Sequence, residues 1–275
     1  RILSPLHYIE WIGYDLLFAV RYENPALLDS RIAVVGYDSE TERYFLDKTK
    51  DPETDWPPPR AYQARVLDNL LKDGARLVVF DVAFPTPSNP KDDKIFNDAL
   101  ARADGKVVLA CTFSRSNNEN AVEDGETETP VKSLVSPYWD MDIGIDFEKH
   151  VRIGFGEIVR NESQSGVNLI RTFMPVTYMY GWNEPDEKGN WVPSLPSAAY
   201  LAMHDISNSQ ISVDDTAVWL GKLRVPRTGP DGMDPIEEHA IDTHPIPSTY
   251  LYFPTSPVPI IRYEDVYYGT FPKGR

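Results

Sequence analysis

The chain has 275 residues, 41% of them hydrophobic, which is enough to bury a sizeable core. Its 42 acidic and 27 basic residues give a formal net charge of −15. This charge repels the phosphates of nucleic acid and the surface of an anionic membrane. We therefore expect no nucleic-acid partner.

The single cysteine, Cys111, lies in the apolar run VVLACTF, which predicts a buried thiol and excludes a disulfide framework. The apolar stretch at residues 5–22 is interrupted by polar and charged side chains and is not expected to span a bilayer. The sequence starts at Arg1 and shows no signal-peptide pattern, so we expect a piece of a larger protein.

Residues 4–22 are predicted to form an amphipathic helix that packs across the domain. Ser4 is a plausible N-cap, and Pro5 is acceptable in a first helical turn. Apolar residues recur at steps of three and four positions, at Leu6, Ile9, Ile12 or Gly13, Leu16, Leu17 and Val20.

A β-α-β-α-β pattern follows. Apolar runs predict strands at 31–39, 76–84 and 106–113, and periodic segments predict helices at 60–73 and 92–105. Gly74 and Gly105 mark the helix ends, and Asp92 or Asp93 is expected to cap the second helix. Short crossovers of this kind build parallel sheets with helices on the faces.

The second half predicts a mixed extension. After an acidic loop at 114–150, alternation predicts an antiparallel hairpin from 151–159 and 169–180. Gly154-Phe155-Gly156 indicates a bulge or a close backbone approach. A helix at 194–206, short strand-like pieces and a final helical turn at 262–269 follow. The expected fold is a single α/β domain, residues 1–275, divided into 1–113, 114–150 and 151–275.

Motifs for catalysis and for cofactors are absent from the sequence. The histidines lack the spacing of a metal site, and Glu237, Glu238 and His239 are best explained as a solvated loop. No nucleophile elbow, phosphate loop or paired cysteines occur. We expect no cofactor.

Topology nevertheless predicts a polar cluster, because ligands bind outside the carboxyl ends of the strands in open α/β sheets. Asp38, Arg60, Asp81 and Asp93 should gather there and hold a divalent metal or a polar ligand. Each also has a structural explanation. Asp38 would form a turn, Arg60 would pair with Asp81, and Asp93 would cap a helix.

The stretch DWPPPR, residues 55–60, precedes the first of these helices. Its prolines hold an extended approach, and Pro59 or Arg60 can open the helix where a missing amide donor has no cost. The rigid entry would direct Trp56 and Arg60 toward the cluster. The full hypothetical ligand site comprises Asp38, Trp56, Arg60, Asp81, Phe84 and Asp93.

The order of motifs resembles the second type of CHASE domain. WIGYDLLFAVR, SRIAVVGYDSET, DWPPPRAYQARVLDNLLKDGARLVVFDVAF and DDKIFNDALARADGKVVLA each have a counterpart there. The later segments IGFGEIV, SGVNLIR, SLPSAAYLA and IIRYEDVYYG are similar to that family too. Pro58 stands where the family usually has Trp, and the family continues with a strand beyond the position of Arg275.

The resemblance implies an extracytoplasmic sensory module of bacterial cyclases, histidine kinases or serine/threonine kinases. It implies transmembrane helices on both sides, anchoring in the inner membrane, an unidentified small-molecule or ion ligand, and a homodimer in the full-length receptor. Two alternatives remain open: a metal-dependent hydrolase using Asp38, Asp81 and Asp93, and a purely structural or dimerising ectodomain.

Overall fold

The computed structural model describes residues 31–47, 58–84, 87–115, 132–135, 150–156, 172–179, 190–227, 249–250 and 260–271. The helix expected over 4–22, the aromatic Trp56 and most of the acidic loop lie outside these residues. Within the described residues, none of the helices is long and apolar enough to cross a membrane.

The described helices agree closely with the sequence pattern. They are α1 (Ser39–Leu46), α2 (Arg60–Lys72), α3 (Pro90–Ala103), α4 (Leu195–Met203) and α5 (Tyr263–Tyr268). Only α1 was not predicted. The strands are β1 (Val34–Gly36), β2 (Val78–Phe80), β3 (Val107–Arg115), β4 (Lys132–Val135), β5 (Arg152–Phe155), β6 (Thr172–Phe173), β7 (Val176–Met179), β8 (Asn190–Pro193), β9 (Ile211–Val213), β10 (Ala217–Leu220), β11 (Leu223–Pro226), β12 (Thr249–Tyr250) and β13 (Ile260–Arg262).

The predicted cap of α3 is wrong. Neither Asp92 nor Asp93 precedes the helix, because it already begins at Pro90, where a missing N–H has no cost. Asn89 is the N-cap, and its side chain accepts a hydrogen bond from the amide of Lys91 at 2.9 Å. Asp93 therefore lies inside the first turns, and its carboxylate is available for other contacts.

The central sheet contains four strands. β2 and β5 flank β3 and run parallel to it, and β4 pairs with β3 in the antiparallel sense. The β2-α3-β3 part of the expected pattern is confirmed, since α3 joins two neighbouring parallel strands. The carboxyl ends of β2, β3 and β5 therefore lie along one edge.

The structure does not confirm β1 as a member of this sheet. β1 pairs in parallel with β13, which lies at the other end of the chain, with Val34 opposite Ile260 and Gly36 opposite Arg262. Sequence periodicity identifies a strand but not its neighbour, so the partner of β1 could not be predicted.

The hairpin expected from 151–159 and 169–180 is wrong for the described strands. β5 joins the central sheet, and β7 pairs antiparallel with β8. Gly154 and Phe155 lie on opposite faces of β5 and are both buried, which is typical of a strand in a parallel sheet that is covered on both faces. The antiparallel extension of the second half is nevertheless present in the pair β7–β8 and in the three-stranded sheet β9–β10–β11.

Helix α2 packs against both parallel sheets. Its Ala64 and Leu67 join the core that contains Val78 and Phe80 of β2. Its Val66 joins a second core, formed by α1, α5 and the β1–β13 pair. α4 covers the opposite face of β3, where Leu195 and Ala198 pack on Val108 and Ala110. The predicted burial of Cys111 is confirmed as well, in a separate small core with Phe155 and Val192.

Candidate functional site

Arg60 and Asp93 form a buried ion pair between the first turns of α2 and α3. The Arg60 Nη1 donates to Asp93 Oδ1 at 2.7 Å, and the two side chains are 9% and 3% exposed. The other carboxylate oxygen, Oδ2, accepts from the amide of Ser88 at 2.9 Å. Asp93 thus holds both α2 and the loop that leads into α3.

The local sequence explains how Arg60 reaches this position. Pro59 is the N-cap of α2 with φ −53° and ψ 152°, so the chain arrives extended and turns helical at Arg60. This confirms the expected start of α2. The Arg60 side chain then lies in the space between the two helices, beside the loop that follows β2.

Phe84 forms the apolar wall of this site. The guanidinium carbon of Arg60 lies 5.5 Å from the centroid of the Phe84 ring, which itself packs on Phe96 with a centroid distance of 5.1 Å. A cation over an aromatic face is attracted by the ring quadrupole. The predicted neighbours Arg60, Phe84 and Asp93 are therefore in contact.

Asp81 lies beyond the carboxyl end of β2 and is exposed. Its Oδ1 is 3.4 Å from the point where a Cβ on Gly156 would stand, just after β5. Asp81 therefore projects over the edge shared by the parallel strands. The alternative in which Asp81 pairs with Arg60 is wrong, because the partner that the structure gives Arg60 is Asp93.

Asp38 belongs to a separate set of contacts at the end of β1. It is the N-cap of α1, and its Oδ1 accepts from the amides of Glu40 and Thr41 at 2.9 and 3.0 Å. The bond from the Thr41 amide is the main reason why the pKa of Asp38 lies below its usual value, and the nearby charge of Arg262 adds to it.

Sequence reasoning missed the residues that β13 brings to this second cluster. Glu264 is buried and accepts from the hydroxyl of Thr41 at 3.2 Å, and Arg262 lies 3.4 Å from Glu40. The run IIRYED carried a usable signal, since polar residues follow its apolar strand. The position of this run beside Asp38 could not be predicted, because it depends on the pairing of β1 with β13.

Tyr263 adds a buried phenol to the same end of β13. No hydrogen-bond partner is found for its hydroxyl among the described parts of the chain. Burial is the main cause of its raised pKa, and the neighbouring Tyr37, Tyr267 and Tyr62 add to the shift. Burial also raises the pKa of Tyr37 to about 12. Both phenols are therefore neutral at physiological pH.

The three carboxylates proposed for a hydrolase have different tasks in the structure. Asp93 pairs with Arg60, Asp38 caps its own helix, and Asp81 projects from the central sheet. No cluster of three or more His, Cys, Asp or Glu side chains suited to a metal ion occurs in the described ranges. A carboxylate already bonded to a guanidinium is also a poor metal ligand, since its charge is compensated.

Comparison with known proteins assigns the family. The model of the CHASE2 domain matches residues 1–274. The chain belongs to the CHASE2 family. No curated protein and no solved structure matches it. CHASE2 is an extracytoplasmic sensory domain found in signalling receptors, so a sensory role follows from membership.

Proposed function

We propose that this CHASE2 domain binds a small polar or charged solute at the carboxyl edge of β2, β3 and β5. The observation that carries the proposal is the buried Arg60 and Asp93 pair, which lies beside Phe84 and near the edge from which Asp81 projects. Open α/β sheets bind their ligands at this edge. Trp56, outside the described residues, completes the hypothetical site from sequence.

The chemistry of the edge indicates the class of ligand. Asp81 is an exposed acceptor that favours hydrogen-bond donors and cations, while Phe84 is buried and supports the site from the core side, packed against Arg60 and Phe96. Arg60 is buried and bonded to Asp93, so its part is to hold the wall of the site in place. A compact solute that carries hydrogen-bond donors or a positive charge fits the exposed carboxylate of Asp81.

Helix α2 connects the proposed site to the second core. Arg60 stands at its first position, while Val66 packs among the side chains around β1, β13 and α5. A ligand that binds two positions of α2 with unequal affinity would shift the equilibrium between them. A coupling of about 1–3 kcal/mol is sufficient for a sensor.

In the full receptor, we propose, the signal passes through flanking transmembrane helices to a cytoplasmic cyclase or kinase domain. A homodimer would be the signalling unit. The family supports the sensory role, while the output domain and the partner remain proposals.

A thermal-shift screen of small metabolites and ions tests the site. Asp81→Asn keeps the shape of the side chain and removes its charge, so it should abolish the shift given by a true ligand. Asp98→Asn is the matched control, because Asp98 is an exposed carboxylate on α3 that pairs with Lys94 at 2.7 Å. A ligand whose shift survives both Asp81→Asn and Phe84→Leu would place the site elsewhere.

A further inference from the structure

The carboxyl ends of β1 and β13 lead into a cluster that holds a buried carboxylate with spare hydrogen-bonding capacity. Glu264 is only 5% exposed, and its Oε2 accepts from the hydroxyl of Thr41 at 3.2 Å. Its Oε1 lies 3.9 Å from Arg262 Nη1, which is too far for a hydrogen bond. The guanidinium of Arg262 is exposed and lies closer to Glu40, at 3.4 Å. Glu264 Oε1 can therefore accept a further donor.

Tyr263, the residue before Glu264, brings a second buried polar group to this place. It is 4% exposed, and its hydroxyl has no hydrogen-bond partner among the described residues. Its ring meets that of Tyr37 edge to face, with centroids 5.1 Å apart. Burial and then the charge of Tyr37 raise the pKa of Tyr263, so the two hydroxyls lie near each other at the end of β1. A buried hydroxyl without a partner destabilises a fold, and a ligand that supplies one would offset that cost.

The charges of the cluster indicate what such a ligand carries. Asp38, Glu40 and Glu264 contribute three carboxylates against the guanidinium of Arg262. The whole chain adds a net charge of −15, which attracts cations. No group of three or more His, Cys, Asp or Glu side chains suited to a metal ion occurs in the part of the chain that the structure describes. An organic ammonium does not need such a group, because phenol oxygens and aromatic rings also stabilise it.

We propose that the carboxyl end of the β1–β13 pair is a second binding site, which takes a compact organic cation with a primary ammonium group. Glu264 Oε1 and the hydroxyl of Tyr263 would accept two of its N–H groups, and Tyr37, which is 40% exposed, would offer its ring to the charge. Since α1 follows β1 and α5 follows β13, the bound cation would link the two strands at their carboxyl ends. This site shares no residue with the one proposed at the edge of β2, β3 and β5, so each can fail without the other.

Tyr263→Phe tests the hydroxyl in the absence of any ligand. It removes the oxygen and keeps the ring, so the melting temperature of the whole chain should rise by about 3 °C. Tyr200→Phe, at a half-buried phenol on α4, is the matched control and should change the melting temperature by under about 1 °C. An unchanged or lower melting temperature for Tyr263→Phe would show that its hydroxyl is already satisfied within the protein, which would overturn the proposal.

Ethylammonium chloride is the probe for the ligand, and sodium chloride at the same concentration is the control for ionic strength. In a thermal-shift titration, ethylammonium should raise the melting temperature of the unaltered chain by about 2 °C or more once most sites are filled. The rise should disappear in Tyr263→Phe and persist in Asp81→Asn, whose altered side chain belongs to the other proposed site. Three results would each overturn the second site: no rise above that given by sodium chloride, a rise that survives Tyr263→Phe, or a rise lost only in Asp81→Asn.

Discussion

At the scale of single residues, Arg60 and Asp93 are charged groups that are buried as an ion pair. Desolvation of two charges offsets much of their attraction, so the pair adds little net stability compared with apolar side chains. Loss of one partner is different, because the other charge stays buried. The pair therefore fixes the relative position of α2 and α3 more than it stabilises the fold.

Arg60→Met should lower the free energy of unfolding by about 3–5 kcal/mol, since Asp93 would remain buried without its cation. Adding Asp93→Leu should recover most of this loss, because both charges are then gone. Urea unfolding measures both variants. Lys94→Ala, which breaks an exposed ion pair with Asp98, is the control and should cost under about 1 kcal/mol. If the double variant is no more stable than Arg60→Met, the loss of stability comes from the missing attraction between the two charges and not from an unpaired, buried Asp93.

At the scale of elements, a close approach fixes α4 against β5. A Cβ on Gly154 would stand 2.6 Å from the Leu195 Cα, which is backbone and has no rotamer to move. The glycines around Phe155 were predicted from sequence to mark such an approach, and Gly154 confirms it. The sequence could not identify α4 as the element that approaches.

Gly154→Ala should therefore separate α4 from the sheet and destabilise the protein by about 1–3 kcal/mol, as overpacking does. Gly156→Ala, on the same segment, is the matched control. Its Cβ would meet the Asp81 Oδ1 at 3.4 Å, which is ordinary contact, so stability should change little. Thermal unfolding of the two variants compares them directly. Equal losses would show that glycine flexibility, rather than the contact with Leu195, determines the cost.

At the scale of the whole molecule, the two ends of the described chain meet in the β1–β13 pair, and α2 holds the helix that follows β13. Asn69 of α2 donates to the carbonyl oxygens of Val266 and Tyr267 at 2.8 and 3.1 Å, at the end of α5. Elements predicted from local periodicity, such as α2 and α3, were largely correct. Sheet membership was predicted correctly for β2 and β3 but not for β1, because the β1–β13 pairing and the contacts of Glu264 depend on residues far apart in sequence. The same limit applies to the site, where Arg60 and Asp93 were predicted neighbours but Asp38 joined another cluster.

Asn69→Leu removes these two hydrogen bonds while keeping the size of the side chain. It should lower stability by about 1–3 kcal/mol, because the carbonyl oxygen of Tyr267 loses the donor that Asn69 provides, while that of Val266 keeps the amide of Gly269. Hydrogen exchange should also become faster at the amides of β1 and β13. Asn208→Leu on the exposed turn before β9 serves as the control. Faster exchange throughout the molecule, with no preference for β1 and β13, would contradict a local role for Asn69.

The parallel pairing of β1 with β13 gives the domain a defined mechanical response. The strands meet through three register pairs, from Val34 with Ile260 to Gly36 with Arg262. Sliding one strand along the other would disturb all three register pairs at once. A partial shift would leave backbone hydrogen-bonding groups unpaired, so the pair resists small axial forces. A full step of one residue would exchange Ile260 and Ile261 between the two faces. The two strands therefore either keep their register or shift along their axis by a whole residue.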